Sequence, residues 1–409
     1  MNAIIEALFL LFSVITLYMM FLFMFIYLDN RRRFGALPAA ALPSVSIIVP
    51  AYNEEKNIGD TIRALQMLDY PEKLKEIIVV DDGSTDRTYR IAKGFKGIRL
   101  LRQKNNGKGS ALNLGLKHAR GEIVGCVDAD TSPMPDALRK AVPFFGDKSV
   151  AGVTGAIIVR NPAGLAGKLQ WLEYVMIVWS RKIFEFIESV YVTPGPFSLY
   201  RKDVLRKLGG FDESIMTEDI EIAWRLLGRG YRIRMAKDAR VLTRVPDNAA
   251  AWWAQRLRWN IGGLQTVLKY RYTMFSGHYG TLGNVVGPFF LTSYVVSILG
   301  FALFAYIAGS WIWQNLFFTT GAYAIGLDPL AHYELLIVPD VFTFFGLLTF
   351  LISIVWVNLG LRMIGERSPP GSKLRDLVDM LVYLSLYITV FPLNLVYSML
   401  KYLSGKYHW

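Results

Sequence analysis

The stretch VSIIVPAYNE, residues 45–54, decides the fold because a β-branched apolar run leads directly into a polar turn. The same order recurs in IIVVDDGS at 77–84 and in IVGCVDAD at 123–130, and further apolar runs lie at 98–101 and 153–159. Helix-like segments separate these runs. Strands that alternate with helices predict an α/β domain built on a mostly parallel sheet. Since ligands bind at the carboxyl ends of such strands, we expect the polar turns to meet at one edge.

Four long apolar stretches lie outside this region and predict membrane-spanning helices. They occupy residues 7–28, 283–307, 335–361 and 377–400. Each is long enough to cross the roughly 30 Å hydrocarbon layer as a helix. A signal peptide is the alternative for the first stretch, but the basic residues at 31–33 follow the apolar part instead of preceding it. We therefore expect the first stretch to stay attached as a span.

The placement of Lys and Arg predicts how these spans are oriented. Basic residues flank the spans on one side, at 31–33, 269–271 and 362–375, whereas 310–334 contains none. Because cytoplasmic loops carry the excess of Lys and Arg, the central region is predicted to be cytoplasmic in an integral plasma-membrane protein. The net charge of +12 fits anionic membrane lipids better than nucleic acid, since no nucleic-acid motif accompanies it.

The domain organisation follows from these patterns. We expect an N-terminal transmembrane helix at 1–30, a cytoplasmic domain at 31–245, an interfacial helix at 246–275 and a C-terminal transmembrane bundle at 276–409. Residues 164–190, rich in tryptophan and basic side chains, predict a second amphipathic helix at the membrane surface.

Asp128 and Asp130 form a candidate metal site. They lie two residues apart at the end of a predicted strand, so their side chains point to the same side if the backbone stays extended. Mg²⁺ or Mn²⁺ takes few protein oxygens and completes its shell with water and phosphate oxygens, so paired aspartates beside a diphosphate suffice. The alternative is an ordinary acidic loop. Nearby, Lys108 precedes a predicted helix, where a cation and free amides suit a diphosphate, although a solvated glycine loop is the alternative.

Two further motifs lie at the start and in the middle of predicted helices. In MTEDIEIAW, residues 216–224, Thr217 is predicted to cap a helix over 219–227, with acidic side chains stabilised by its dipole. In QRLRW, helical spacing places Gln255, Arg258 and Trp259 on one face. A basic, aromatic helix lying on the lipid surface would show the same pattern, and we expect this helix to serve both purposes.

The ordered series of motifs from about 44 to 263 resembles the membrane-bound family 2 glycosyltransferases, most closely the processive synthases of hyaluronan, chitin, cellulose and poly-N-acetylglucosamine. The order of the series makes the resemblance specific, because each short match alone is a weak signal. The resemblance implies a Rossmann-like GT-A domain inserted between N-terminal and C-terminal transmembrane helices. It also implies a divalent cofactor, Mg²⁺ or Mn²⁺.

The resemblance implies a role for each candidate residue. Asp219, with Glu218 beside it, is implied as the general base that takes a proton from the acceptor hydroxyl. Asp130 and Asp128 are implied to hold the metal, and Ser198 and Trp259 to bind the acceptor. The residues implied to bind the nucleotide sugar are Tyr52, Glu54, Asp81, Asp82, Lys108, Asp128, Gln255 and Arg258. Which of Asp81 and Asp82 faces the base stays open.

The function that these observations predict is inverting transfer of a sugar from a UDP-sugar to a growing polysaccharide, with export of the polymer. The sugar is predicted to be N-acetylglucosamine or a related hexose. Transfer of one sugar to a polyprenyl phosphate or other lipid is the alternative, against which the QRLRW motif argues. A nucleotide-sugar sensor or transporter is a third interpretation. Coupled transporters carry several intramembrane charges, whereas here Asp340 and Asp379 are the main ones.

Overall fold

A computed structural model of the chain describes residues 3–33, 42–326, 341–365 and 373–405. Asp340 and the beginning of the predicted span at 335–361 lie outside these ranges. The described residues comprise an α/β domain, two long helices that pack on it, and four long apolar helices.

The centre of the domain is an eight-stranded sheet with the order β3-β2-β1-β4-β7-β6-β8-β5. Its strands are β1 Val45–Ala51, β2 Lys75–Asp81, β3 Arg99–Arg102, β4 Ile123–Cys126, β5 Thr131–Pro133, β6 Val150–Val159, β7 Ser198–Arg201 and β8 Arg232–Thr243. The five predicted strands all form. The parallel prediction is confirmed for β3-β2-β1-β4 and for the β6–β8 pair. The strands β7 and β5, which are not among the five predicted, pair antiparallel with their neighbours, so the sheet is mixed.

The strand order explains where the polar turns meet. From β1 the chain moves outward to β2 and β3, then crosses back to β4 on the other side of β1. Such a reversal leaves a crevice at the carboxyl ends of the two strands on either side of it, where open α/β sheets bind ligands. The turns after β1 and β4 therefore flank this crevice, and the turn after β2 lies next to them.

Helices cover both faces of the sheet because its central strands are apolar on both sides. In β1, Ile47 and Val49 pack with Ile62 on one face, whereas Ile48 packs with Leu112 on the other. This alternation follows from the two-residue period of a strand. The helices of the domain are α2 Ile58–Gln66, α3 Thr88–Lys93, α4 Lys108–His118, α5 Ala137–Ala141, α6 Gly164–Phe186, α7 Lys202–Lys207, α8 Glu218–Gly228 and α9 Ala249–Lys269.

Four described helices are long and apolar enough to cross a membrane, which agrees with the four predicted spans. They are α1 Ala3–Asn30, α10 Gly287–Ala324, α11 Val341–Ile364 and α12 Lys373–Leu403. Helix α10 continues well past residue 307, where the predicted span ends. Polar residues interrupt the apolar pattern there, but Asn315, Thr319 and Thr320 return their side-chain hydrogen bonds to carbonyls within the same helix. The helix therefore continues where the hydropathy falls.

Helix α6 joins the α/β domain to the apolar helices. It packs on β6 and β8 and also contacts α1, α11 and α12. Trp179, at its centre, is fully buried, with its ring 5.1 Å from that of Tyr27 and 5.2 Å from that of Trp356. Gly360 lies directly against Trp179, where a larger residue would press on the indole. The predicted interfacial helix at 164–190 therefore forms, but it is buried between two layers and ends at Phe186.

Candidate active site

The turn after β1 is fixed to the loop after β2. Asn53 has a φ of 55°, in the left-handed region that asparagine tolerates better than most residues. Its backbone N–H donates to Ser84 Oγ at 3.0 Å, and its Oδ1 accepts from the Thr85 N–H at 2.9 Å. The Glu54 N–H donates to Thr88 Oγ1 at 2.7 Å. These bonds hold Tyr52 at the crevice with its side chain 46% exposed.

Asp81 and Asp82 are both buried but have different partners. Asp82 accepts hydrogen bonds from Gln103 Nε2 at 2.7 Å and from the backbone N–H groups of Asn106 and Gly107 at 3.0 and 2.9 Å. Asp81 lies 2.9 Å from Arg102 Nε, yet neither of its oxygens accepts a hydrogen bond from the described residues. Asp82 therefore fixes the loop before α4, whereas Asp81 keeps acceptor capacity.

Lys108, the first residue of α4, joins two groups of carboxylates. Its Nζ lies 2.7 Å from Asp128 Oδ1 and 3.0 Å from Glu218 Oε1. Burial lowers the pKa of Lys108, but the surrounding carboxylates outweigh burial and raise it well above the usual range. The backbone at Gly195 packs against this pair, since a Cβ there would overlap both Lys108 Nζ and the Asp128 carboxylate. Gly195 therefore lies directly against the ion pair of Lys108 and Asp128.

Asp130 lies in a crowded acidic environment. Burial raises its pKa to about 7, and the nearby carboxylates of Asp128 and Glu54 add to the increase. Burial, with Asp128 nearby, likewise raises the pKa of Glu54. No set of three or more His, Cys, Asp or Glu side chains within the described ranges is arranged to hold a metal. A cation here would rely on the aspartate pair and on oxygens from a ligand, as hard divalent ions commonly do.

Asp219 lies in the first turn of α8. Its carbonyl accepts hydrogen bonds from the Thr193 N–H and Oγ1, and its Oδ1 accepts from the Ile220 N–H at 2.9 Å. Burial, then the adjacent Glu218, raise the pKa of Asp219 to about 7, although Lys108 opposes the shift. Thr217 occupies the N-cap position of α8 as predicted, but its buried Oγ1 makes no capping hydrogen bond with the described residues.

Helix α9 packs directly onto the start of α8. Gly262 lies against the Thr217 side chain so closely that a Cβ would overlap it. Gln265 Oε1 accepts from the Met216 N–H at 2.9 Å. The glycine permits this close approach. Trp259 lies on α9 one turn before Gly262.

The QRLRW motif divides into a buried and an exposed part. Arg256 is buried, forms an ion pair with Glu173 of α6 and donates to Gln255 Oε1. Its guanidinium also lies 4.2 Å from the ring centroid of Trp259. Arg258 is exposed and forms no hydrogen bond or ion pair with the described residues. Arg256 therefore binds α9 to α6, while Arg258 remains available to a ligand.

Ser198 occupies a different position from the other candidates. It is fully buried at the start of β7, and its hydroxyl donates to the Pro194 carbonyl at 2.8 Å. This bond shapes the loop that carries Gly195. The Glu173–Arg256 pair and Thr193 are further supporting groups that the motifs did not indicate, because their partners are distant in sequence.

The two arginines of the motif give a matched test. Arg256→Met leaves the Glu173 carboxylate buried without its partner, which typically costs about 3–5 kcal/mol. Arg258→Met removes an exposed side chain, for which an effect within roughly 0.5 kcal/mol is usual. We expect thermal unfolding in detergent to show a clear loss of Tm for Arg256→Met and none for Arg258→Met. Equal Tm values for the two variants would contradict the structural assignment of Arg256.

Comparisons with known proteins show what this chain resembles. Residues 46–209 match the model for Glycosyl transferase family 2. The poly-beta-1,6-N-acetyl-D-glucosamine synthase of Staphylococcus aureus (strain COL) is 35% identical over 234 residues, 56% of this chain and 56% of that protein. The synthase of the same name from Staphylococcus epidermidis is 35% identical over 231 residues, 55% of this chain and 56% of that protein. The chain thus spans little more than half the length of these relatives.

The fold is also that of a solved glycosyltransferase. A mannosyltransferase from Pyrobaculum calidifontis, in complex with GDP-Man and Mn²⁺, superposes with a TM-score of 0.52 at 24% identity, covering 85% of this chain and 97% of that chain. This likeness concerns the fold. Together with the match over residues 46–209 and the synthase relatives, it shows that the chain is similar to family 2 glycosyltransferases of the GT-A type and resembles poly-β-1,6-N-acetyl-D-glucosamine synthases.

Proposed function

We propose that this protein is an inverting membrane glycosyltransferase that moves N-acetylglucosamine or a related hexose from a UDP-sugar to a growing polysaccharide, which leaves through the membrane helices. The observation that carries the proposal is the position of Lys108, which contacts Asp128 on the donor side and Glu218 beside the candidate base. The groups needed to bind a diphosphate and to activate an acceptor thus meet at one point. The catalytic domain is cytoplasmic in this proposal, as the Lys and Arg placement predicts.

The nucleotide is proposed to bind at the turns after β1 and β2. Asp81 is the better candidate to face the base, because its oxygens can accept from the imide N–H of uracil while those of Asp82 are occupied. Tyr52 offers an exposed ring for stacking, and Glu54 is the candidate for the ribose. A base without an N–H at this position would leave the buried Asp81 carboxylate without a hydrogen bond, which costs free energy. Asp81 would therefore discriminate against such a base.

A divalent cation, Mg²⁺ or Mn²⁺, is proposed to be held by Asp130 and Asp128. The crowded carboxylates fit a cation, since each raises the free energy of the ionised form of its neighbour. The bound cation would neutralise negative charge on the diphosphate. The mannosyltransferase of similar fold was solved with Mn²⁺, which supports an ion of this class here.

Asp219 is proposed to act as the general base in a single displacement. The acceptor oxygen bonds to the anomeric carbon while the bond from that carbon to the phosphate oxygen breaks, and the acceptor proton passes to the Asp219 carboxylate. The electron pair of the broken bond leaves on UDP, where Arg258 and Lys108 are the candidate countercharges. A single displacement of this kind inverts the configuration at the anomeric carbon.

The acceptor is proposed to lie against Trp259, whereas Gln255 stays a candidate for binding the nucleotide sugar. An indole face packs against the C–H surface of a sugar ring while the hydroxyls at the rim keep their hydrogen bonds. Ser198 is retained as an acceptor-side residue that acts through the loop containing Gly195, since its own hydroxyl is bonded to Pro194.

The decisive experiment measures product length. Radiolabelled transfer from a panel of UDP-sugars by protein in nanodiscs, with products sized by gel and mass spectrometry, should give a polysaccharide from UDP-N-acetylglucosamine or a related donor. Trp259→Ala should lose elongation but keep UDP-sugar binding. A single-sugar, organic-extractable lipid as the only wild-type product would overturn the polymerase proposal in favour of a lipid acceptor. A chain that binds UDP-sugars without transferring them would support the sensor interpretation.

The base assignment predicts both a mutational and a pH effect. Asp219→Asn should lower kcat by a factor of roughly 10² to 10⁴ with donor affinity close to wild type. Because the pKa of Asp219 is raised to about 7, the carboxyl gains a proton as pH falls through neutrality, and kcat should fall with it. Lys108→Met removes a charge that lowers this pKa, so the kcat profile at saturating donor should move to higher pH.

The exposed Asp136→Asn is the control for both measurements. Turnover of Asp219→Asn within a few-fold of wild type would remove Asp219 from the mechanism. A kcat profile that is flat across neutral pH would contradict the proposed protonation of Asp219 near neutrality.

The metal assignment predicts that donor binding depends on Asp130. Calorimetric titration of UDP should show binding that strengthens with Mn²⁺ and is lost in excess EDTA. Asp130→Ala should bind UDP weakly and no longer respond to Mn²⁺, whereas Asp136→Ala should match the wild type. UDP binding that stays tight in EDTA and is unchanged by Mn²⁺ would exclude a metal held by this pair.

A further inference from the structure

A second cavity lies away from the proposed donor, metal and base residues. It has a volume of about 310 Å³ and is enclosed by α6, α9 and α12. Its walls include Leu169, Trp252, Tyr383, Leu386 and Phe391, so most of the surface is aliphatic or aromatic. None of the proposed donor, metal or base residues lines it. The cavity is therefore separate from the catalytic crevice.

The chemistry of the walls selects the occupant. Sugar hydroxyls buried against aliphatic and aromatic walls would lose hydrogen bonds to water without replacing most of them. Water itself is a poor occupant, because apolar cavities of this size stay dry and bind apolar molecules. A hydrocarbon chain loses nothing there and gains free energy for each methylene that is removed from water.

The position of the cavity indicates where such a chain comes from. Leu386 lies on its wall, is 40% exposed, and belongs to α12, one of the four candidate membrane spans. Ala166 and Ala249, also on the wall, are exposed on α6 and α9. Lipid is the surrounding solvent for an exposed apolar face of a spanning helix. We propose that this cavity holds one acyl chain of a membrane phospholipid.

The acyl chain would also support the helix that carries QRLRW, a consequence that rests on the proposed function. Trp252 and Glu173 both line the cavity. The Arg256 guanidinium lies 5.2 Å from the ring centroid of Trp252 and forms an ion pair with Glu173. The same guanidinium also lies over the ring of Trp259. Occupancy thus fixes Trp252 and Glu173, and these fix Arg256. Through Arg256 the lipid sets the position of Trp259 relative to the acceptor.

The binding test needs no sugar substrate, so its failure is distinguishable from failure of the proposed function. Purified protein is exchanged into detergent and analysed by native mass spectrometry, and in parallel it is reconstituted with phosphatidylcholine that carries a diazirine in one acyl chain. We expect one retained phospholipid per chain. Crosslinks should map to the parts of α6, α9 and α12 around the cavity. Asp219→Asn should behave as wild type.

Two variants fill the cavity from different helices, Leu386→Trp from α12 and Ala166→Phe from α6. Displacing two or more methylenes should reduce lipid retention and crosslinking at least about tenfold. Leu400→Trp is the matched control, since Leu400 lies on the same helix, is 60% exposed and does not line the cavity. Size-exclusion profiles identify any variant that fails to fold. If one filling variant fails to fold, lipid retention by the other filling variant provides the test.

Three results would overturn the proposal. They are equal lipid retention in the filled and control variants, crosslinks confined to the outward faces of α1 and α10, and a glycan retained in place of lipid. For the coupling, hydrogen exchange at 249–262 should slow when delipidated wild type receives phosphatidylcholine and should not change in Leu386→Trp. If hydrogen exchange in the wild type does not change when lipid is added, the proposed coupling is excluded but the proposed lipid-binding site is not.

Discussion

The contact on which the site depends is the one between Lys108 and two carboxylates from opposite sides of the crevice. Asp128 follows β4 on the donor side, and Glu218 begins α8 beside Asp219. Buried carboxylates repel one another, and without a cation between them several would bind protons instead of keeping their charge. Lys108 allows the donor side and the base side to approach. The close packing of Gly195 against this pair removes the space for any side chain that would separate them.

A second constraint holds α9 in place. Gly262 lets α9 lie directly on Thr217, just before Glu218, and the Glu173–Arg256 pair fixes the same helix to α6. Helix α6 is in turn packed between the sheet and the apolar helices through Trp179. A displacement of the membrane helices would therefore reach α9 through contiguous packing. The two arginines of the motif therefore differ in environment. Arg256 is buried in the ion pair with Glu173, whereas Arg258 is exposed.

Much of this architecture could be predicted from the sequence because the signals are local. Each β-branched run forms a strand, and the candidate residues Tyr52 and Asp128 lie just beyond the carboxyl ends of β1 and β4, as the pattern predicts. The antiparallel β7 could not be predicted, because its place between β4 and β6 depends on the chain returning after α6. The length of α10 was missed since hydropathy does not register the internal bonds of Asn315 and Thr319. The contact of Lys108 with Glu218 joins residues that no short motif connects.

The charges around the crevice bear on how the proposed donor would enter. Burial raises the pKa values of Glu54, Asp130 and Asp219, and neighbouring carboxylates add to each increase. A free diphosphate would add to the repulsion, whereas a diphosphate with a divalent cation would reduce it. In the proposed mechanism, Lys108 would gain phosphate oxygens as partners when the donor binds, and its lowering of the Asp219 pKa would weaken. Since a higher pKa makes a carboxylate a stronger proton acceptor, the same exchange of partners that admits the donor would also prepare the base.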